Sequence, residues 1–116
     1  MKPPIAPWQV WLVNFEPVKG REQAGTRPAI VVGSDDHCRF PAEMGFVVPL
    51  TTRNRGLSHH VRIDSPSSGL REPSWALVDQ LRALSTLRFV NKRPMGTLSG
   101  NEREEVGYWV HRMLAR

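Results

Sequence analysis

The stretch that most constrains the fold is a loop that runs directly into a short apolar segment. Residues 20–26 begin with a glycine and contain a second one at position 25, so the backbone can turn there without the steric cost of a Cβ atom. Pro28 fixes its own φ and restricts Arg27 to an extended conformation. Residues 29–32, Ala-Ile-Val-Val, are typical of a buried strand. Arg27 is therefore expected where a loop joins the core, and its permanently charged, forked donors suit an anionic ligand.

Short strands with proline- and glycine-rich turns are predicted along most of the chain. Strands are predicted at residues 8–15, 28–33, 46–51, 61–64 and 75–78, with weaker strand character at 89–90 and 95–97, polar loops at 33–45 and 52–60, and a helical turn within 81–88. Both faces of the first strand are apolar, which indicates a strand covered on both sides. The sequence therefore favours a small β-barrel.

One helix is predicted at the carboxyl end. Ser99 and Glu102 have the spacing of a capping box. The residues that follow place an apolar stripe on one helical face: Val106, Trp109, Val110, Met113 and Leu114. The fold class predicted from the residues is mainly β, a small barrel with a C-terminal helix packed on it, as one domain over residues 1–116.

Composition and charge narrow the classes of function. The 116 residues contain one cysteine, Cys38, so an intrachain disulfide is excluded and a reducing cytoplasm is the expected compartment. No apolar run is long enough to span a bilayer, and no membrane association is expected. The formal net charge is +5, and 13 of the 16 basic residues are arginine. This balance favours a polyanionic partner, although a merely solvated surface rich in arginine would have the same composition.

Metal-capable side chains occur in sequence at Asp35, Asp36, His37 and Cys38. Four consecutive residues do not offer the spaced, convergent ligands that zinc or magnesium sites use, so no metal site is predicted.

Four motifs resemble a known family. The segment Gly-x-Glu-Gln-x-Gly-x-Arg-Pro-Ala-Ile-Val-Val at residues 20–32 is similar to the first signature of the MazF/PemK toxins. Residues 48–51 (Val-Pro-Leu-Thr) resemble the second block, residues 79–82 (Asp-Gln-Leu-Arg) resemble the third, and Leu-Ser at 98–99 resembles the start of the family's terminal helix. The four blocks stand in family order and span nearly the whole chain.

The resemblance implies a fold, an activity and partners. The fold would be the SH3-like barrel of MazF, PemK and CcdB-like toxins, assembled as a homodimer. The chain would be the toxin of a type II toxin–antitoxin system, a cytoplasmic endoribonuclease that cuts single-stranded RNA to 2′,3′-cyclic phosphate and 5′-hydroxyl ends without metal or cofactor. Its protein partner would be a cognate antitoxin.

The resemblance also assigns catalytic roles to Arg27 and Thr51. Arg27 would stabilise charge that develops on the phosphoryl oxygens, because its charge-assisted hydrogen bonds strengthen in the transition state. Thr51 would donate a hydroxyl hydrogen bond to the same group or position the nucleophile. Judged by the residues alone, Arg27 would equally suit a surface ion pair with Glu16 or Glu22, and Thr51 would be an ordinary strand-end threonine.

The acid–base groups remain open. Asp79 matches an acidic position that some family members use together with an arginine two residues earlier, but that earlier residue is Leu77 here. Asp79 is therefore a candidate for either catalysis or RNA contact. His59 and His60 lie in the basic loop, where a histidine would serve as a general base near neutral pH, contact the substrate or be simply exposed.

The remaining predicted site residues are expected to contact RNA. They comprise two positions of the first loop, three arginines of a segment without acidic residues, and two positions after Asp79: Glu22, Gln23, Arg53, Arg55, Arg62, Gln80 and Arg82. A tryptophan would also suit stacking on a base, but the sequence does not indicate which of the four.

Two other functions fit the same barrel. One is a toxin without enzymatic activity that acts on DNA gyrase, and the other is a basic RNA-binding barrel without catalysis. The Arg27-Pro28 and Pro49-Leu50-Thr51 segments favour the nuclease, because its chemistry needs them and a gyrase binder does not.

Overall fold

The computed structural model describes residues 2–16 and 25–115. In this part of the chain the strands are β1 (Gln9–Asn14), β2 (Thr26–Val31), β3 (Met44–Thr51), β4 (His60–Ile63), β5 (Ser74–Leu77), β6 (Arg82–Ser85) and β7 (Gly96–Thr97), and the α-helices are α1 (Asp35–Arg39) and α2 (Gly100–Met113). Hydrogen-bonded neighbours follow the order β4-β5-β3-β2-β1-β7, and β6 also pairs with β3. Every strand pair is antiparallel. The curled sheet carries α2 against one face, which confirms the predicted mainly β barrel with a terminal helix.

The first strand is buried on both sides, as predicted. Val10 and Trp11 are both fully buried, but they belong to different apolar clusters because successive side chains point to opposite faces. Trp11 packs with residues such as Val13 and Phe89 on one face of the sheet. Val10 packs with β4, β5 and Val106 of α2 on the other. The sheet is therefore the middle layer of the molecule.

The terminal helix begins with the predicted capping box. The Ser99 side chain accepts a hydrogen bond from the Glu102 backbone N–H, and the Glu102 carboxylate accepts one from the Ser99 N–H. Val106 is fully buried, whereas Met113 and Leu114 are 40% and 57% exposed. The predicted apolar stripe therefore packs on the sheet along its first part and leaves it at its end.

The carboxylate of Glu102 also fastens the helix to the turn after β4. Its Oε2 accepts the backbone N–H groups of Asp64 and Ser65, both at 2.9 Å, and Oε1 accepts the Ser65 hydroxyl. Burial alone would raise the pKa of Glu102, but these hydrogen bonds and that from Ser99 outweigh it and hold the pKa below its ordinary value of 4.5. We call this arrangement the Glu102 anchor.

One local prediction was wrong and another was incomplete. The segment 33–45, expected as a loop, contains the short helix α1, because the Ser34 side chain caps it by accepting the His37 N–H and acidic residues fill its first turn. The helical turn expected within 81–88 is present as a 3₁₀ turn over Thr86–Arg88, but the strand β6, which was not predicted, precedes it. Pairing with β3 and burial of Leu84 outweigh the local preference there.

The second strand starts two residues earlier than predicted. Thr26 and Arg27 pair with β1, opposite Asn14 and Val13. The ladder to β3 begins only at Ala29, so the missing N–H of Pro28 costs no hydrogen bond on that side. Arg27 is therefore held on a strand.

Among the described residues no helix is both long and apolar enough to cross a membrane.

Candidate active site

Arg27 and Thr51 lie at the same end of the β2–β3 pair. Ala29 is opposite Pro49, and Arg27 and Thr51 each stand two residues beyond that pair on their own strand. Side chains alternate along a strand, so all four project from one face of the sheet. Arg27 is exposed, and Thr51 is only 8% exposed. The two residues that the sequence predicted as catalytic are thus brought to one strand end.

The hydroxyl of Thr51 takes part in a local turn. Its Oγ1 accepts the backbone N–H of Arg53 at 3.2 Å, which fixes the side chain at the point where β3 ends. A hydroxyl that accepts one hydrogen bond still has its own hydrogen to donate. Thr51 is therefore a fixed neutral donor beside the charged Arg27.

A groove of about 420 Å³ opens beside this strand end. Both β5 and β6 pair antiparallel with β3, and a 3₁₀ turn over Val78–Gln80 interrupts the pairing between them. The groove is lined by this turn, the start of β6, the residue after β1 and one residue of β3: Phe15, Pro49, Asp79, Gln80, Leu81, Arg82 and Ala83. The predicted residues Asp79, Gln80 and Arg82 therefore share one concave surface with Pro49, the residue that precedes Leu50 and Thr51.

Asp79 also faces both histidines of the basic loop. Its Oδ1 is 3.3 Å from His59 Nε2 and 3.8 Å from His60 Nε2. The exposed fraction of the side chain is 47% for Asp79, 23% for His59 and 4% for His60. We call these three residues the histidine corner. The sequence separates Asp79 from the histidines by about 20 positions, and the pairing of β4 with β5, which sets His60 opposite Leu77, joins them.

Burial shapes the electrostatics of this corner. It lowers the pKa of His60 below its ordinary value of 6.5, an effect that the neighbouring His59 and Arg55 strengthen and Asp79 opposes. His60 Nδ1 and His59 Nε2 are buried atoms with no hydrogen-bond partner among the described groups. His59 Nε2 is close to Asp79, but the direction of the contact does not make a hydrogen bond. The corner thus holds imidazole nitrogens whose bonding capacity is unused.

Three of the predicted RNA-contacting arginines, those at positions 53, 55 and 62, fall into two groups. Arg53 and Arg55 are exposed in the loop between β3 and β4. Arg62 is exposed on β4, but its Nε lies 3.1 Å from an Asp64 carboxylate oxygen and its guanidinium lies 5.7 Å from the centre of the Trp75 ring. The first group offers its charge to a ligand more readily than Arg62 does. Glu22 and Gln23, also predicted to contact RNA, lie outside the described residues.

Trp75 is a site residue that the sequence did not single out. It lies opposite Thr51 on one side and Arg62 on the other, so the three form a row on one face. It is half-buried, whereas Trp11 is fully buried and Trp8 and Trp109 pack against the core. Only strand pairing shows that its neighbour is Thr51.

Comparison with known proteins identifies similar chains. Residues 6–114 match the model of a family described as the PemK-like, MazF-like toxin of type II toxin–antitoxin systems. The endoribonuclease EndoA of Bacillus subtilis is 31% identical over 84 residues, which cover 72% of this chain and 72% of that protein. The endoribonuclease MazF9 of Mycobacterium tuberculosis is 29% identical over 99 residues, which cover 81% and 82%.

Solved structures show the same fold. The crystal structure of MazF from Deinococcus radiodurans superposes with a TM-score of 0.77 at 21% identity and covers 94% of both chains. A MazE–MazF structure from the same organism gives a TM-score of 0.75 at 21% identity and covers 95% of both chains. Likeness at this level of identity establishes a shared fold.

Proposed function

Since this chain belongs to the PemK-like, MazF-like toxin family of type II toxin–antitoxin systems, as its sequence motifs predicted, we propose that it is a toxin that cleaves single-stranded RNA. Its relatives EndoA and MazF9 are named endoribonucleases. The observation that carries the assignment is the β2–β3 register, which brings Arg27 and Thr51 to one strand end. A groove that holds Asp79 opens beside this end.

The reaction is a transesterification at one phosphodiester. The ribose 2′-oxygen attacks the adjacent phosphorus while the bond from phosphorus to the 5′-oxygen breaks. The 2′-hydroxyl loses its proton and the departing 5′-oxygen gains one, so the products are a 2′,3′-cyclic phosphate and a 5′-hydroxyl. The enzyme must therefore stabilise charge on the phosphoryl oxygens and assist one proton transfer at each end.

Arg27 and Thr51 act on the phosphoryl oxygens. The planar guanidinium can donate two parallel hydrogen bonds to a phosphate, and these strengthen as negative charge builds up. The Thr51 hydroxyl, fixed by the Arg53 N–H, donates a weaker neutral hydrogen bond. Because both groups stand on paired strands, little reorganisation is needed during the reaction.

His59 accepts the proton of the 2′-hydroxyl, and Asp79 positions it. Imidazole is the side chain best suited to accept a proton near neutral pH. His59 is partly exposed, and the Asp79 carboxylate lies 3.3 Å from its Nε2 while also lining the groove. His60 is nearly buried, and its Nε2 lies 3.8 Å from the Asp79 carboxylate, so it is less accessible to the substrate than His59.

RNA and protein partners bind the basic surface. Arg53 and Arg55 contact phosphates, and Trp75 offers a ring face next to Thr51 on which a base can stack. The cognate antitoxin would cover the same surface with an acidic segment that folds on binding.

The toxin acts in the cytoplasm as a homodimer. The single chain leaves apolar side chains exposed, such as Leu87 at 83%, and these are available to the dimer interface.

Incubation of the purified protein with a long RNA in EDTA tests the function. Discrete fragments that end in a cyclic phosphate and begin with a 5′-hydroxyl are expected from the wild type and from the control Arg93→Ala, which alters an exposed arginine in the loop after β6. Arg27→Ala should leave the RNA intact. Intact RNA with the wild type, or cleavage that only added Mg²⁺ permits, would overturn the proposal, and gyrase inhibition by the same preparation would favour a non-enzymatic toxin.

Sedimentation tests the assembly separately. A homodimer is expected at micromolar concentration, and a 13.2 kDa species at all concentrations would contradict it.

A further inference from the structure

The histidine corner has the composition of a metal site. Two imidazole nitrogens and one carboxylate oxygen face each other, and the three ligand atoms all lie within 4.8 Å of one another. This cluster is distinct from residues 35–38, the only metal-capable run that the sequence suggested, which form α1 elsewhere in the fold. From its geometry we propose that His59, His60 and Asp79 bind one zinc ion.

The distances from Asp79 are close to those around a tetrahedral ion. Zinc bonds of about 2.0–2.1 Å to nitrogen and oxygen place neighbouring ligand atoms roughly 3.3–3.5 Å apart in a tetrahedron. The observed separations from Asp79 Oδ1 are 3.3 Å to His59 Nε2 and 3.8 Å to His60 Nε2. All three ligand atoms lie within 4.8 Å of one another, so binding would require side-chain rotations that shorten the longer separations.

The unused bonding capacity of His59 also points to a ligand. Its Nε2 is buried, makes no hydrogen bond among the described groups, and lies beside the Asp79 carboxylate. Buried polar atoms in native proteins nearly always have a partner, and an imidazole nitrogen that lies close to a carboxylate oxygen without a hydrogen bond between them is an arrangement that a cation satisfies. Side chains that only contact solvent would not need to bring an imidazole nitrogen and a carboxylate together in this way.

The donor set selects the metal. Magnesium and calcium prefer oxygen ligands, whereas two imidazoles with one carboxylate suit zinc. Three protein ligands leave a fourth position for water or a phosphate oxygen. The positive charge of Arg55 already acts on His60. It would therefore repel the zinc ion and limit the affinity of the site for zinc.

The consequence for activity rests on the proposed function. Zinc bound at His59 Nε2 would withdraw electron density from the imidazole that accepts the 2′-hydroxyl proton, and it would occupy the carboxylate that positions the ring. The zinc-bound protein would therefore be inactive, and a chelator would restore cleavage. Zinc is in this account a reversible inhibitor, and RNA cleavage itself proceeds in EDTA.

Equilibrium dialysis of the metal-free full chain with ZnCl₂, together with Co²⁺ absorption spectra, tests the site. One ion per chain is expected, with a tetrahedral Co²⁺ spectrum that lacks thiolate bands. Asp79→Asn and His59→Gln should weaken zinc binding by more than the roughly 10–100-fold that loss of an outer-shell partner costs. The control His111→Gln, which alters an exposed histidine of α2, should bind as the wild type does, and Arg55→Gln should bind more tightly.

Several results would overturn the site. These are no binding at equimolar zinc, thiolate bands that assign the ion to Cys38, or unchanged affinity in Asp79→Asn, which alters a half-exposed side chain and leaves the fold intact. The failures are distinguishable: a protein that cuts RNA in EDTA but binds no zinc refutes only this inference. A protein that binds zinc at the corner but never cuts RNA refutes only the proposed function.

Discussion

Two carboxylates at opposite ends of β4 show how the same chemical group can have different roles. Glu102 is buried and accepts hydrogen bonds on both oxygens from Asp64, Ser65 and Ser99. Asp79 is half-exposed, lines a groove and faces two imidazoles whose buried nitrogens lack partners. The first arrangement is complete within the chain, and the second is complete only when something else binds.

This contrast separates a carboxylate that stabilises the fold from one that is available for function. A satisfied buried carboxylate fixes the approach of α2 to the sheet, and its loss leaves backbone N–H groups unpaired. An incompletely bonded group beside a concave surface is available to substrate or metal. Changes at the Glu102 anchor should therefore alter unfolding, and changes around the groove should alter cleavage.

The largest effect is expected for Arg27→Ala. Loss of one preorganised donor to a developing oxyanion costs on the order of 10²–10³ in rate, or about 3–4 kcal/mol. Unfolding should be nearly unchanged because the side chain is exposed. Lysine should restore only part of the rate, since a point charge lacks the planar fork. Single-turnover cleavage beside thermal melting measures both quantities, and near wild-type cleavage by Arg27→Ala would remove it from the catalytic site.

Substitution at the histidine corner should have the next largest effect. His59→Gln removes the proposed general base, and we expect the single-turnover rate to fall roughly 10²-fold. Asp79→Asn should lose less, because it only positions the imidazole. RNA affinity should change little in both variants. A fall in affinity with an unchanged chemical step would show instead that the corner only contacts RNA.

The Glu102 anchor should behave in the opposite way. Glu102→Gln presents an amide to backbone donors, and we expect the free energy of unfolding to fall by roughly 1–3 kcal/mol. Because the folded state lowers the pKa of Glu102, its contribution to stability is present above pH 4.5 and is lost as the pH falls through the lower folded pKa. Denaturant unfolding from pH 7 to pH 3 should therefore be less acid-sensitive in the variant. Cleavage per folded molecule should not change, and a loss of rate at full stability would erase the distinction between the two carboxylates.

The smallest effect is expected for single arginines of the loop after β3. Each phosphate contact on single-stranded RNA contributes roughly −0.7 to the slope of log affinity against log salt, so Arg53→Ala should flatten that slope by about 0.7. Arg62→Ala should flatten it less, because Asp64 and the Trp75 ring already engage the guanidinium. Filter binding of a non-cleaved RNA across salt concentrations measures both. Equal slopes in the wild type and Arg53→Ala would exclude the loop from the RNA footprint.

The sequence predicted those features that depend on local chemistry. The capping box before α2 follows from the spacing of Ser99 and Glu102, and burial of β1 on both sides follows from its unbroken apolar pattern. Arg27 and Thr51 were predicted through motif resemblance and lie at one strand end. The helix α1 was not predicted although its Ser34 cap is a local signal, and β6 was not predicted because a long-range pairing with β3 decides that segment.

The features that depend on distant pairing could not be predicted. Nothing in the local sequence connects Asp79 with His59, since their proximity comes from the pairing of β4 with β5 and from the 3₁₀ turn that follows. The same holds for Trp75 beside Thr51. The second role of Glu102, in which it accepts hydrogen bonds from Asp64 and Ser65, could not be predicted either, because these partners are distant in sequence and the capping box alone accounts for the residue.

A double-mutant cycle on Arg27 and Thr51 tests most directly whether the strand end is one catalytic site. Single-turnover cleavage would be measured for Arg27→Ala, Thr51→Val and the double variant, with Thr51→Ser as the control that keeps the hydroxyl. Because both side chains are proposed to bind the same phosphoryl group, we expect a coupling energy within about 0.5–3 kcal/mol, so that the double variant is only slightly slower than Arg27→Ala. Rate losses that simply multiply, or a Thr51→Val enzyme as fast as the wild type, would contradict the account.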